Sequence, residues 1–232
     1  DIFYFFFYDR VIILPCGGGF SQGGDAFSSA KLTDDDLEVV NKNRGIDFAI
    51  GIHAESMRVE YGGEKSFATI WGTRASDVIQ DNLRFLIYLN PVEGRFLRED
   101  ESNSALIGVR TSELFGTDVE IEVGDKIKLK DKEFKIVGVT EEIGDPNQDA
   151  KIVIPLEIHY ELIGRDNEYS RILGKTRPGF PPGEVAQELE EDLRKSRDVE
   201  EDEEDFSVET LEDAISSVTN ILAIIQTVLA GI

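Results

Sequence analysis

The chain has 232 residues, a single cysteine at Cys16 and a formal net charge of -23. That length admits a real hydrophobic core, while one cysteine excludes a disulfide scaffold and cysteine-based zinc sites. The acidity speaks against nucleic acid, which demands Lys and Arg to displace phosphate counterions, and against lying broadly on an anionic membrane surface; a salty environment, a cationic partner and simple solubility all remain open.

Residues Ile2 to Tyr8 (IFYFFFY) are apolar and aromatic without a break, and Asp9-Arg10 then introduce the strand-like Val11-Ile12-Ile13-Leu14. With no basic stretch or small-residue cleavage site ahead of it, the run does not read as an intact signal peptide. Aromatic residues gather at membrane interfaces, so it fits a chain that has just left a bilayer, and equally a first strand buried on both faces. After Pro15 the stretch from Cys16 to Asp25 is glycine-rich and reads as a loop. Thr33 before Asp34-Asp35-Asp36 is a helix start, a hydroxyl cap with acids at the positive end of the dipole; it leads to Leu37, Val39 and Val40 and ends at Asn43-Arg44-Gly45. Ile46 to Tyr61 reads as one or two strands, and Gly62-Gly63 as a hairpin turn into Ser66 to Trp71.

In the middle of the chain, Ala105 to Val109 is a short buried strand and Thr111 to Phe115 a short helix closed by Gly116. Lys126 to Lys130 and Glu133 to Val139 alternate apolar and polar residues around Lys130-Asp131-Lys132, the pattern of a hairpin in a small barrel or half-open sheet. Asp145 to Asp149 is a polar loop, and Lys151 to Ile154 a returning strand. From Pro155 helices and strands alternate: Leu156 to Ile163 helical, Tyr169 to Lys175 extended, Gly183 to about Lys195 helical after a Pro-Gly-rich turn, and Phe206 to Glu209 extended. The apolar segment Ala214 to Ile232 closes the sequence. From Ile221 it reads ILAIIQTVLAGI, apolar on every helical face, which suits the start of a bilayer span of about 20 residues better than a stripe packed on the domain.

Several short pieces, taken in order, carry a family resemblance. They are Leu32-Thr33 with Asp36, Gly94-Arg95-Phe96, Ala105-Leu106-Ile107-Gly108 with Leu114-Phe115-Gly116, and Val123-Gly124-Asp125 leading through Phe134 to Ile136-Val137-Gly138-Val139. Ile154-Pro155-Leu156 and Asp205-Phe206-Ser207-Val208 complete the series. In this order and spacing the chain resembles, over residues 30 to 232, the extracytoplasmic core domain of ABC transporter permeases of the MacB and FtsX-like superfamily, which includes the lipoprotein-releasing permeases. The first 25 residues depart from that pattern.

The resemblance implies an α+β fold: a porter-like βαβ-rich subdomain from both chain ends, residues 1–79 and 155–215, carrying an inserted β-rich subdomain at residues 80–154. Residues 216–232 would begin a transmembrane helix or stalk. It implies a non-catalytic, membrane-anchored domain on the extracytoplasmic face, working as a homodimer or paired permease. A separate cytoplasmic ATP-binding subunit would hydrolyse ATP, and the domain would transmit that motion to an exported or extracted substrate. A ligand-binding sensor domain tethered between two membrane helices is the alternative.

Fragments that imitate catalytic motifs do not assemble into one. Gly19-Phe20-Ser21-Gln22-Gly23 matches a nucleophile elbow, yet Pro15 and three glycines slacken the turn before Ser21, and too little chain precedes it to supply the sheet. Asp145, Asn147 and Asp149 have calcium-loop spacing, but Ala150 stands where glycine is needed and Leu156 where glutamate is needed. The acidic run from Asp198 to Asp205 reads as a solvated linker. His53 and His159, the two histidines, fall in different elements and read as packing or surface residues, and Trp71 and Tyr61 as core or interface anchors. No phosphate-cradling GxxxxGK[ST] is present. No catalytic, cofactor-binding or metal-binding residue is therefore expected.

Overall fold

The computed structural model describes residues 9–15, 31–116, 119–210, 212, 213, 215 and 226. The aromatic run before Asp9, the glycine-rich loop with Ser21, and nearly all of the C-terminal apolar segment lie outside them. The chain forms two compact units, Asp1–Ile50 with Ser170–Ile232, and Gly51–Tyr169.

The first unit is built around β1 (Arg10–Pro15), an apolar strand whose described neighbours lie on both sides. It pairs antiparallel with β9 (Arg171–Thr176) on one side and with β10 (Phe206–Thr210) on the other. The sheet order is β10-β1-β9-β2, where β2 is the long strand Ile46–Tyr61. Because β9 and β10 both oppose β1, they run in the same direction with β1 between them, joined by the helix α5 (Pro182–Arg197). This is a split β-α-β arrangement of the ferredoxin-like kind. Val185, Ala186, Leu189 and Leu193 of α5 are buried at helical spacing, and the helix packs on β1, β10 and α1 (Asp34–Lys42). α1 starts as its sequence directs: the Asp36 carboxylate accepts from the Thr33 backbone N–H at 2.7 Å, with three acids in the first turn.

The second unit is a closed barrel of six strands. β2 and β3 (Glu64–Thr73) form an antiparallel hairpin whose Gly62 and Gly63 both take positive φ, as a tight two-residue turn requires. β3 pairs in parallel with β8 (Ile152–Pro155), which pairs antiparallel with β5 (Ser104–Gly108). β5 runs parallel to β7 (Lys132–Thr140), which makes a hairpin with β6 (Lys126–Leu129). β6 then pairs antiparallel with β2 and closes the ring. The short strand β4 (Pro91–Gly94) adds to the C-terminal half of β7.

Alternation fills the barrel. Met57 and Val59, Ala68 and Ile70, Ala105 and Ile107, Ile127 and Leu129, Phe134 and Ile136, and Ile152 and Ile154 form one buried cluster, an alternating pair from each strand. Phe115, from a 3-10 turn at Thr111–Phe115, and Ile158, from α4 (Leu156–Ile163), join that cluster. The helix α2 (Asp77–Ile87) and a single turn at Pro146–Asp149, labelled α3, complete the described elements of this unit. No described helix is long and apolar enough to cross a membrane.

The fold is mixed α+β, as expected, but the compact units part at residues 51 and 169, not at 80 and 154. The β2–β3 hairpin supplies two of the six barrel strands, and Ile158 of α4 seals the barrel core, so both belong to the inserted unit.

Candidate functional site

Two contacts tie the start of the barrel unit to its end. The ring of Tyr169 lies flush against Gly51, where a β-carbon would stand 2.4 Å from Cε1. Two residues further along β2, Nδ1 of His53 is 2.8 Å from Nε2 of His159 in α4. Gly72, opposite His53 in the β2–β3 pairing, makes this approach possible: a β-carbon there would meet Cβ of His159 at 2.7 Å. His159 is fully buried and His53 is 6 % exposed, with the Tyr160 ring edge-on to His53.

Burial disfavours the charged form of both rings. It pushes His159 down to about 3, with His53 and Lys130 acting in the same direction. Burial also lowers His53, against the opposing pull of Glu55 and Glu168, while Arg165 adds to the lowering. Both rings are therefore neutral at pH 7 and share one N–H···N hydrogen bond. Nδ1 of His159 has no hydrogen-bond partner among the described residues. We assign the proton to its Nε2, which donates to Nδ1 of His53; the opposite tautomer would bury an N–H without an acceptor.

A second buried base is Lys151, only 2 % exposed, just before β8. Its Nζ is 5.1 Å from the centre of the Trp71 ring and donates to Oε1 of Gln148 at 3.4 Å. Burial lowers its pKa to about 8, opposed by Asp149 and Asp145. Trp71 thus anchors a cation on the barrel wall. Tyr61 donates to Oδ2 of Asp125 at 2.7 Å, and its ring packs near Phe115.

In the first unit, Arg197 at the end of α5 gathers three elements. It pairs bidentately with Asp36 of α1 at 2.9 and 2.7 Å, reaches both oxygens of Asp205 at 2.7 Å, and donates to the Lys31 carbonyl at 2.7 Å. The guanidinium lies 5.5 Å from the Phe206 ring at the start of β10. Burial opposes its charge, but Asp36 and Asp205 more than offset this and hold its pKa above the ordinary value.

The calcium-like spacing resolves into turn chemistry. Asp145 caps α3 by accepting from the backbone N–H groups of Asn147 and Gln148, and the buried Asp149 accepts from those of Ile143 and Gly144. In the acidic run, Glu204 and Asp205 are held by Arg194 and Arg197. No three described His, Cys, Asp or Glu side chains come together as a metal-binding set. The two histidines, far apart in sequence and in different elements, are joined in the structure. Nothing in a 106-residue separation announces that contact. In sequence Lys151 is only the polar residue ahead of an apolar strand, and nothing local marks its burial.

Comparison with known proteins places this architecture. A match to the MacB-like periplasmic core domain spans residues 6–192. An ABC transporter permease of Methanocaldococcus jannaschii is 29% identical over 205 residues, which cover 87% of this chain and 49% of the relative; the chain thus spans about half the relative's length. The crystal structure of the periplasmic region of MacB from Actinobacillus actinomycetemcomitans superimposes with a TM-score of 0.72 at 16% identity, covering 94% of this chain and 96% of that one. The extracellular domain of the noncanonic ABC-type transporter YknZ from Gram-positive bacteria gives a TM-score of 0.64 at 15% identity, covering 87% of this chain and 100% of that one. The chain belongs to the family of MacB-like periplasmic core domains and is an extracytoplasmic domain of the ABC transporter permease type.

Proposed function

We propose that this domain relays ATP-driven motion to a substrate outside the membrane and carries out no chemistry itself. The observation that carries this reading is the register of β1 against β10. Val11 lies opposite Thr210 and Pro15 opposite Phe206, so the chain approaching the domain and the chain leaving it occupy neighbouring antiparallel strands. Membrane helices joined before residue 9 and after residue 210 would then act on one edge of one sheet. Arg197 stiffens that edge by tying α5 to α1 and to the residue preceding β10. Energy would come from a cytoplasmic ATPase subunit, and two permease copies would work as a pair.

Orientation is the first requirement. Phe67, 68 % exposed on the β2–β3 hairpin, is a suitable reporter position. In the whole permease carrying Phe67→Cys and Cys16→Ser, a membrane-impermeant maleimide should label Cys at position 67 on intact cells. Labelling only after permeabilisation would contradict the reading.

A further inference from the structure

We propose that His53 and His159 form a proton-operated latch that seats α4 against the β2–β3 wall of the barrel while both rings are neutral, and releases it as the surroundings become acidic. The geometry is specific. The rings meet at 2.8 Å in a buried position, Gly72 leaves room for His159 directly opposite His53, and Tyr169 closes on Gly51 two residues before His53. Two polar ties from the β6–β7 hairpin to α4 lie at the surface: Lys132 pairs with Glu161 at 3.1 Å, and Lys130 donates to the Leu162 carbonyl. The part-buried Tyr160 hydroxyl exchanges hydrogen bonds with the Glu168 backbone, beyond the helix. The histidine contact, by contrast, is buried. The latch is a property of the barrel and stands independently of the relay.

The groups around the pair fix the sign. On β2, Glu55 favours protonation of His53; beyond α4, Glu168 does the same and Arg165 opposes it. From the β6–β7 turn, Lys130 opposes protonation of His159, and Tyr160 presents a ring edge to His53. With α4 seated, both pKa values lie below the ordinary histidine value; with α4 released into water they return to about 6.5. Release therefore takes up protons. The seated state is fully favoured above about pH 6.5, and it loses ground as pH falls from there toward the lowered values of the seated rings. Each proton taken up makes release about tenfold easier per pH unit.

The test is hydrogen exchange on the 232-residue chain, with rates corrected for the intrinsic pH dependence of amide exchange. Between pH 6.5 and 5, above the range where ordinary carboxylates titrate, protection of the α4 amides should fall about tenfold per unit or more. In His159→Gln, whose amide can still donate to His53 but takes up no proton, that slope should decrease by about one proton's worth. Unchanged protection of α4 in the unaltered protein, or an equal slope in the variant, overturns the latch. Should His159→Gln fail to fold, imidazole NMR of the unaltered protein decides, because the chain has only two histidines. Both should titrate below 6.5, His159 far below it, and independent titration of both near 6.5 refutes the proposal.

Discussion

Replacing Arg197 with alanine should remove about 3 to 5 kcal/mol of unfolding free energy, the range expected when one partner of a buried ion pair is deleted. The cost arises mainly at Asp36, whose side chain is 4 % exposed and loses its bidentate partner. Asp205, 44 % exposed, regains water more readily. Asp36 retains the Thr33 backbone and hydroxyl donors, which holds the loss toward the lower part of that range. Arg197→Lys should fall between the variant and the unaltered protein, since an ammonium keeps the charge but not the planar fork that serves two carboxylates. Combining Arg197→Ala with Asp36→Asn should cost less than the sum of the single changes, because they remove one shared interaction. The surface pair Arg44–Glu188 is the contrast, and Arg44→Ala should produce no measurable loss. Denaturant unfolding followed by far-ultraviolet circular dichroism reads the effect. The single tryptophan, Trp71, sits in the barrel unit and reports on that unit instead.

Phe134→Ala should cost a comparable amount, about 3 to 5 kcal/mol, through a different mechanism. Phe134 is fully buried among the alternating residues that fill the barrel, and a close-packed interior cannot collapse onto the space a phenyl ring leaves. Phe67→Ala removes the same ring from a position that is 68 % exposed and should change stability by about 0.5 kcal/mol or less. The two variants isolate burial from residue type. Trp71 fluorescence during denaturant unfolding measures both, and equal losses would show that the barrel interior is not the stabilising core.

What could be read from the sequence follows the physics of each element. β6 and β7 were legible because one face of each is buried, so apolar and polar residues alternate from Lys126 to Leu129 and again from Glu133 to Ile136, on either side of a polar turn. Ring closure was not legible, since the pairing of Val59 with Leu129 depends on long-range register that leaves no local trace. The boundary between the compact units leaves no local mark because β2 runs through it: Ile50 and Gly51 are consecutive residues of one strand, with no loop to punctuate the change. β4 reads Pro-Val-Glu-Gly and is largely exposed, so neither alternation nor apolarity marks it. The α2 helix did carry a signal, the Ser76 cap that accepts from the Ile79 N–H and the apolar stripe of Ile79, Leu83 and Leu86 at helical spacing.

The short pieces that carried the family resemblance have a steric basis. Gly94 pairs with Gly138 across β4 and β7, and a β-carbon on Gly94 would stand 2.2 Å from the Val137 carbonyl oxygen. One on Gly138 would stand 2.5 Å from the Arg95 carbonyl oxygen. These two positions are glycine because backbones meet there, so they mark the fold more than a substrate. The histidine pair has no such local mark, and only the folded barrel reveals it.

Relay of motion is tested most directly by electron-electron distance measurement in the whole permease assembled with its ATPase in lipid. Spin labels at Glu212→Cys, an exposed position just after β10, should report a separation between two copies that shifts by several ångströms between the nucleotide-free and ATP-bound states. An identical distance distribution in both states would contradict the relay and leave the domain as a static extracytoplasmic scaffold.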